Sequence, residues 1–180
     1  MFDERDLIKR LQDENTRRKA FEELVSRYSS KLYWQIRHIV VDHDDADDIL
    51  QNVFLKTWNN MGSFKGDSQL HTWLYRIAYN ESMTFLSKKK NDISIDDLDD
   101  GIANHLESDE YYDGDEAQQI LQEAIATLPD KQKAVFTMKY YDEMKYEDMA
   151  QITGTSVGAL KASFFHAVQK ITAYVKTKEH

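Results

Sequence analysis

Cysteine is absent from this 180-residue chain, which excludes disulfides and thiolate metal sites. Proline occurs once and glycine six times, so long helices meet few interruptions. No apolar run approaches the roughly 20 residues that a membrane span requires. The opening residues, Met1-Phe2-Asp3-Glu4-Arg5, lack the basic-then-apolar order of a signal peptide. A cytoplasmic chain without membrane insertion is the expectation. Phosphate loops, nucleophile elbows, metal triads and Cys/His pairs are missing too. The chain therefore reads as a non-enzyme with no cofactor and no metal.

What is present is acid, and it is concentrated. The formal net charge is −9. Residues 1–90 carry 15 Lys and Arg against 14 Asp and Glu, and residues 118–180 carry 8 against 7. Residues 91–117 carry 11 acids and no Lys or Arg. Attraction to phosphate depends on local potential, screened over roughly 8–10 Å at physiological salt. An overall negative charge held in one segment is thus compatible with nucleic-acid binding on either side of it.

Segment 91–117 has few apolar residues and no sustained period, the composition of an acidic flexible linker. It divides the chain into units at 1–90 and 118–180. A soluble tether is the plain reading of its acids; the alternative is that they screen weakly basic surfaces of the two flanking units. Phe21, Leu24, Val25, Tyr28, Leu32 and Ile36 recur at three- and four-residue steps, which marks an amphipathic helix. Helices at Ala46–Trp58 and Leu70–Leu86 follow. After the linker, Ile120, Ala124, Ile125 and Leu128 line one face, Pro129 ends that helix, and another runs from about Asp130 to Tyr141. Strand-type alternation is not sustained anywhere. The fold class is all-α.

Three stretches carry functional information. In the first, Ala46, Ile49, Leu50, Val53, Phe54 and Thr57 project to one side of a helix at 100° per residue. Asp48, Gln51, Asn52 and Leu55 project to the other. Asp44 and Asp45 stand at its N-terminal end, favourably placed for the helix dipole. A solvated, capped helix is the plain alternative. Leu55, apolar among Asp, Gln and Asn, argues for a protein-docking surface. The acids with His38 and His43 do not follow the spacing of a calcium loop.

The second stretch runs from Phe64 to Asn80. Its loop supplies Phe64, Lys65, Gly66, Asp67 and Ser68. Leu70, Trp73, Leu74, Ile77, Ala78 and Phe85 project to the buried side of the helix, with Thr72, Arg76, Tyr79 and Met83 opposite. Aromatic rings and guanidinium planes stack on unpaired bases at roughly 1–3 kcal/mol each. Phe64, Trp73 and Tyr75 are equally compatible with core packing. Lys88-Lys89-Lys90 closes the helix, where cations suit both the dipole and a phosphate.

The third stretch is a helix-turn-helix. Tyr146–Ile152 forms a short helix, Thr153-Gly154-Thr155 turns, and Ser156 caps a helix from Val157 to about Val175. Gly158, Ala159, Ala162, Ser163, Phe165, His166 and Gln169 project outward, flanked by Lys161 and Lys170. A plain helical hairpin is the alternative.

Asp47-Asp48-Ile49-Leu50-Gln51-Asn52-Val53-Phe54, followed by Phe64-Lys65-Gly66-Asp67-Ser68 and Thr72-Trp73-Leu74-Tyr75-Arg76-Ile77-Ala78-Tyr79-Asn80, resembles the bacterial extracytoplasmic-function (ECF) sigma factors of the sigma-70 family. The resemblance spans about Leu7 to Tyr174. It implies a sigma-2-like helical bundle over 1–90 and a sigma-4-like helix-turn-helix over 118–180. It gives Asp47, Asp48 and Gln51 a role in binding the beta-prime subunit of core RNA polymerase, and the helical projection adds Leu55. Melting and reading of the promoter −10 element falls to Phe64, Lys65, Gly66, Asp67, Ser68, Thr72, Trp73, Arg76 and Asn80. Reading of the −35 element falls to Ser156, Gly158, Ala159, Lys161 and Ser163. Implied partners are RNA polymerase core (its beta-prime and beta subunits), promoter DNA and an anti-sigma factor. A stand-alone helix-turn-helix regulator is the alternative function.

One departure stands out. Recognition helices of this family usually carry several arginines, and here Ser163 and His166 stand where arginines are common. Fewer cations weaken phosphate contact, so the −35 reader is expected to contribute modestly. Phe165 is left for a thymine methyl or a protein partner.

Overall fold

The computed structural model describes residues 1–92 and 115–179. Helices α1 (Glu4–Gln12), α2 (Arg17–Val40), α3 (His43–Asn60) and α4 (Leu70–Asp92) form the N-terminal unit, with a 3-10 turn at Met61–Ser63. Helices α5 (Glu116–Ala126), α6 (Asp130–Tyr140), α7 (Tyr146–Thr153) and α8 (Val157–Lys178) form the C-terminal one. There is no strand among the described residues, and the architecture is all-α. Of the expected linker, residues 91–92 finish α4, residues 115–117 enter α5, and 93–114 lie outside the described residues.

Each helix starts where the local chemistry favours it. The side chains of Asp3, Asp42, Asp115 and Ser156 accept hydrogen bonds from backbone N–H groups of the first turns of α1, α3, α5 and α8. Such caps satisfy donors that have no partner within the helix. In α3 the cap is Asp42, bonded to the Asp45 N–H at 2.9 Å, and Asp44 and Asp45 occupy the first turn. Pro129 precedes α6 with φ −55°. Gly154 ends α7 at φ 72°, a left-handed conformation that costs a side chain roughly 1–2 kcal/mol.

In the N-terminal unit Leu7, Leu11, Leu24, Leu32, Ile36, Leu70 and Leu74 are fully buried, with Ile49 and Val53 beside them. Each contributes about 1.5–3 kcal/mol by leaving water. α1, not resolved as an element in the sequence, adds Leu7 and Leu11 to this core. In the C-terminal unit Ala124, Ile125, Leu128, Phe136, Ala167 and Ile171 form a smaller cluster between α5, α6 and α8.

α6 joins the two units. Six consecutive residues, Lys133 to Met138, are buried, and a helix buried on all sides must have partners on all sides. Phe136 belongs to the C-terminal cluster, whereas Ala134, Val135 and Met138 belong to the cluster that also holds the N-terminal core. Met144, Met149, Ile152 and Leu160 extend the shared cluster through α7 and α8. The C-terminal unit is thus seated on α2 and α4.

Candidate functional site

The face of α3 opposite its core is a continuous exposed stripe. Ala46, Ile49, Val53 and Thr57 are buried, and Asp48, Gln51, Asn52 and Leu55 are exposed. Leu55 retains 62% of its surface. Asp47 is half-buried, its carboxylate 3.4 Å from His43 Nε2. Trp58, absent from the sequence-based site, continues the stripe three residues beyond Leu55 and is 40% exposed. Its ring meets Phe21 edge-on at 5.1 Å, which holds the indole in place. The signal was available: Gln51, Leu55 and Trp58 share the i, i+4, i+7 spacing of one helix face.

The Phe64–Asn80 strip divides into exposed and covered parts. Lys65, Gly66 and Asp67 are exposed and Ser68 is half-buried. Gly66 has φ 77°, which suits glycine. Phe64 is only 4% exposed and packs 4.9 Å from the half-buried Trp73, while its carbonyl accepts from Gln12 Nε2 at 3.1 Å. Asn80 is exposed. Thr72 and Tyr79, projected as outward from the sequence, are 2% and 7% exposed. Tyr79 lies in the cluster that spans both units. Thr72 lines a cavity closed on its far side by Asp142, Met144 and Ile152 of the C-terminal unit.

Arg76 makes the most specific contact across this seam. Its Nε–H donates to the Gln151 carbonyl at 2.9 Å. Gln151 lies in the last turn of α7, where carbonyls lack helical partners and the dipole favours a cation. Burial pushes the nearby Tyr75 phenol up to about 12, with the Asp142 charge adding to the effect. Of the candidate −10 residues, Thr72 and Arg76 thus face the C-terminal unit, while Lys65, Gly66, Asp67 and Asn80 stay exposed.

The candidate −35 reader stays open. Ser156, Gly158, Ala159 and Lys161 are exposed, and Ser156 Oγ accepts from the Ala159 N–H at 3.2 Å. Ser163 turns partly inward and is half-buried. Phe165 is 58% exposed, with Ala162, His166 and Gln169 also in solvent. The described residues contain no group of three or more His, Asp or Glu placed to hold a metal ion, and none of their helices is long and apolar enough to cross a membrane.

Two helical units, one with an exposed acidic stripe on α3, the other with an open helix-turn-helix, are the arrangement of a protein that binds partners and does no chemistry of its own on the described surfaces. Comparisons with known proteins narrow it. The models for sigma-70 region 2 and sigma-70 region 4 match residues 24–91 and 118–171. The ECF RNA polymerase sigma-E factor of Haemophilus influenzae is 30% identical over 175 residues, covering 92% of this chain and 91% of that one. The RNA polymerase sigma-H factor of Pseudomonas aeruginosa is also 30% identical, covering 92% and 90%. Among solved structures, CnrH in complex with the cytosolic domain of CnrY superposes with a TM-score of 0.68 at 21% identity, covering 97% of each chain. RpoE from Bartonella quintana, bound to the anti-sigma factor NepR, gives 0.66 at 21%, covering 88% and 98%. The chain belongs to the ECF sigma factors of the sigma-70 family. It is a promoter-recognition subunit of RNA polymerase and not an enzyme.

Proposed function

We propose that the N-terminal unit does the docking and the −10 reading, and that the C-terminal unit adds a weaker −35 contact. Asp47, Asp48, Gln51 and Leu55 meet the beta-prime subunit of the core enzyme, and Trp58 extends that contact. The exposed α3 stripe carries this reading: an apolar Leu and Trp in line with Asp and Gln on an otherwise solvated face suit an interface whose centre is apolar and whose rim is polar. Lys65, Gly66, Asp67, Ser68, Trp73, Arg76 and Asn80 engage the −10 strand once the promoter is melted. Phe64 and Thr72 join them only if their surroundings rearrange, since both are buried. Ser156, Gly158, Ala159, Lys161 and Ser163 read the −35 duplex from the major groove.

An anti-sigma protein is a further partner, in keeping with the sigma factors that the structural relatives show bound to CnrY and NepR. The chain acts in the cytoplasm, beside polymerase and chromosome. Transcription in vitro, with core enzyme and a library of promoter sequences, tests the reading. Run-off products that depend on this chain and share a sequence preference support it. No initiation with any core enzyme refutes it in favour of a stand-alone regulator.

A further inference from the structure

We propose that His43 is a positioning residue for polymerase docking: its imidazole, itself fixed from α2 by Tyr33, orients the Asp47 carboxylate without cancelling its charge. The inference rests on the assignment of Asp47 to the core interface made above. The acids around the start of α3 are not equivalent. Asp42 is the helix cap and accepts from the Asp45 N–H at 2.9 Å. The Asp45 carboxylate is held by Lys89 of α4 at 2.7 Å. Asp47 instead meets a histidine, with His43 Nε2 one turn before it and 3.4 Å from its Oδ2.

The turn before α3 makes this possible. Only Val41 and Asp42 separate the end of α2 from the start of α3. Val41 takes φ 72°, a left-handed backbone that β-branched residues rarely adopt. Such strain persists where the surrounding contacts over-determine it. The sharp reversal sets His43, the first residue of α3, against Tyr33 of α2. The Tyr33 hydroxyl hydrogen-bonds His43 Nδ1, and the two rings meet edge-on at 5.8 Å. Tyr33 is fixed in turn. It packs on the hydrophobic core, its ring lies edge-on to Trp34 at 5.1 Å, and the buried Arg37 hydrogen-bonds its phenol oxygen. With the phenol donating to Nδ1, the ring proton sits on Nε2 and points to Asp47, since the partner of one ring nitrogen sets the state of the other.

The identity of the donor is what matters. Lys89 neutralises the carboxylate it holds. A neutral imidazole restricts the Asp47 rotamer and leaves its full negative charge for a basic partner. Asp47 also keeps 49% of its side-chain surface, against 23% for Asp45. Orientation before contact favours affinity because every side chain frozen at an interface has a cost.

Titration of core RNA polymerase with the full-length chain and its variants tests the role. His43→Ala is expected to weaken binding about three- to tenfold, with the melting temperature unchanged because His43 is exposed. His43→Gln, which keeps a neutral N–H donor at similar reach, is expected to restore native affinity. His43→Lys, which keeps a donor and cancels the charge, is expected to bind no better than His43→Ala. In an Asp47→Ala background, His43→Ala should change nothing. Three-bond couplings in the free chain should show one dominant Asp47 side-chain rotamer, and averaging in His43→Ala and Tyr33→Phe. Unchanged affinity in His43→Ala, no rescue by His43→Gln, or a loss that persists without Asp47 overturns the positioning role. Equal couplings in the native chain and His43→Ala overturn it as well. Native affinity in Asp47→Ala would refute the docking assignment instead, and the couplings would still decide whether His43 orients that carboxylate.

Discussion

The two proposed DNA readers of this chain differ in opposite respects. The α4 reader has Trp73, Arg76 and the nearby Lys65 but is partly covered, Arg76 donating to the Gln151 carbonyl. The α8 reader is open but chemically sparse, with Gly158, Ala159 and Ser163 on its surface and Lys161 as its nearest cation. Stacking on unpaired bases suits the first set of residues, and groove contact with few phosphate bonds suits the second.

The contrast can be broken in order of expected effect. Arg76→Ala should lower promoter opening by holoenzyme roughly ten- to hundredfold, since one stacked base is worth about 1–3 kcal/mol. It should leave −35 duplex binding unchanged, and potassium permanganate footprinting beside duplex titration separates the two. Ser163→Arg should tighten duplex binding about tenfold at low salt and steepen the salt dependence by roughly 0.9 per added phosphate contact. An unchanged slope would mean that α8 does not meet the backbone there.

Proton linkage sharpens the comparison further. Burial pushes the Asp142 carboxyl up to about 7 and the His38 imidazole down to about 4, with Arg37 contributing. Unfolding returns each towards its ordinary value, about 3.9 and 6.5. Folding therefore binds a proton at Asp142 and releases one at His38, and between about pH 4 and 6.5 the two cancel. Their joint contribution to stability should change little from pH 5 to 6. With His38→Phe only Asp142 remains, and its contribution, present at low pH, should be lost as pH rises towards 7. With Asp142→Asn only His38 remains, and its contribution, present above about pH 6.5, should be lost as pH falls towards 4. Denaturant midpoints across pH report both slopes, and parallel slopes in the two variants would contradict the assignment. The smallest effect is local: Gly154→Ala should cost about 1–2 kcal/mol, read as a lowered melting temperature by circular dichroism.

Much of this was legible in the residues. The α3 stripe emerged from a 3.6-residue period because one core lies on one side of that helix. The same logic failed for Thr72 and Tyr79. Their side of α4 faces a second unit far along the chain, and periodicity within a helix shows two faces without saying what covers each. α6 hid its role for a related reason. With Lys133 to Met138 all buried, it has no polar face to set its period. Helix ends moved for local causes: α4 runs six residues past Leu86 to Asp92, with Lys89 paired to Asp45 at 2.7 Å and Lys90 to Asp130 at 2.8 Å. Trp58 was overlooked because tryptophan is expected inside, and only the packed structure reveals how much of its ring remains outside.

Fluorescence titration of core RNA polymerase with the native chain and with Asp47→Ala/Asp48→Ala/Gln51→Ala/Leu55→Ala tests the docking assignment most directly. The account predicts tight binding by the native chain and a loss of at least about a hundredfold in the folded quadruple variant, equivalent to roughly 2.7 kcal/mol. Equal affinity of the two proteins would contradict it.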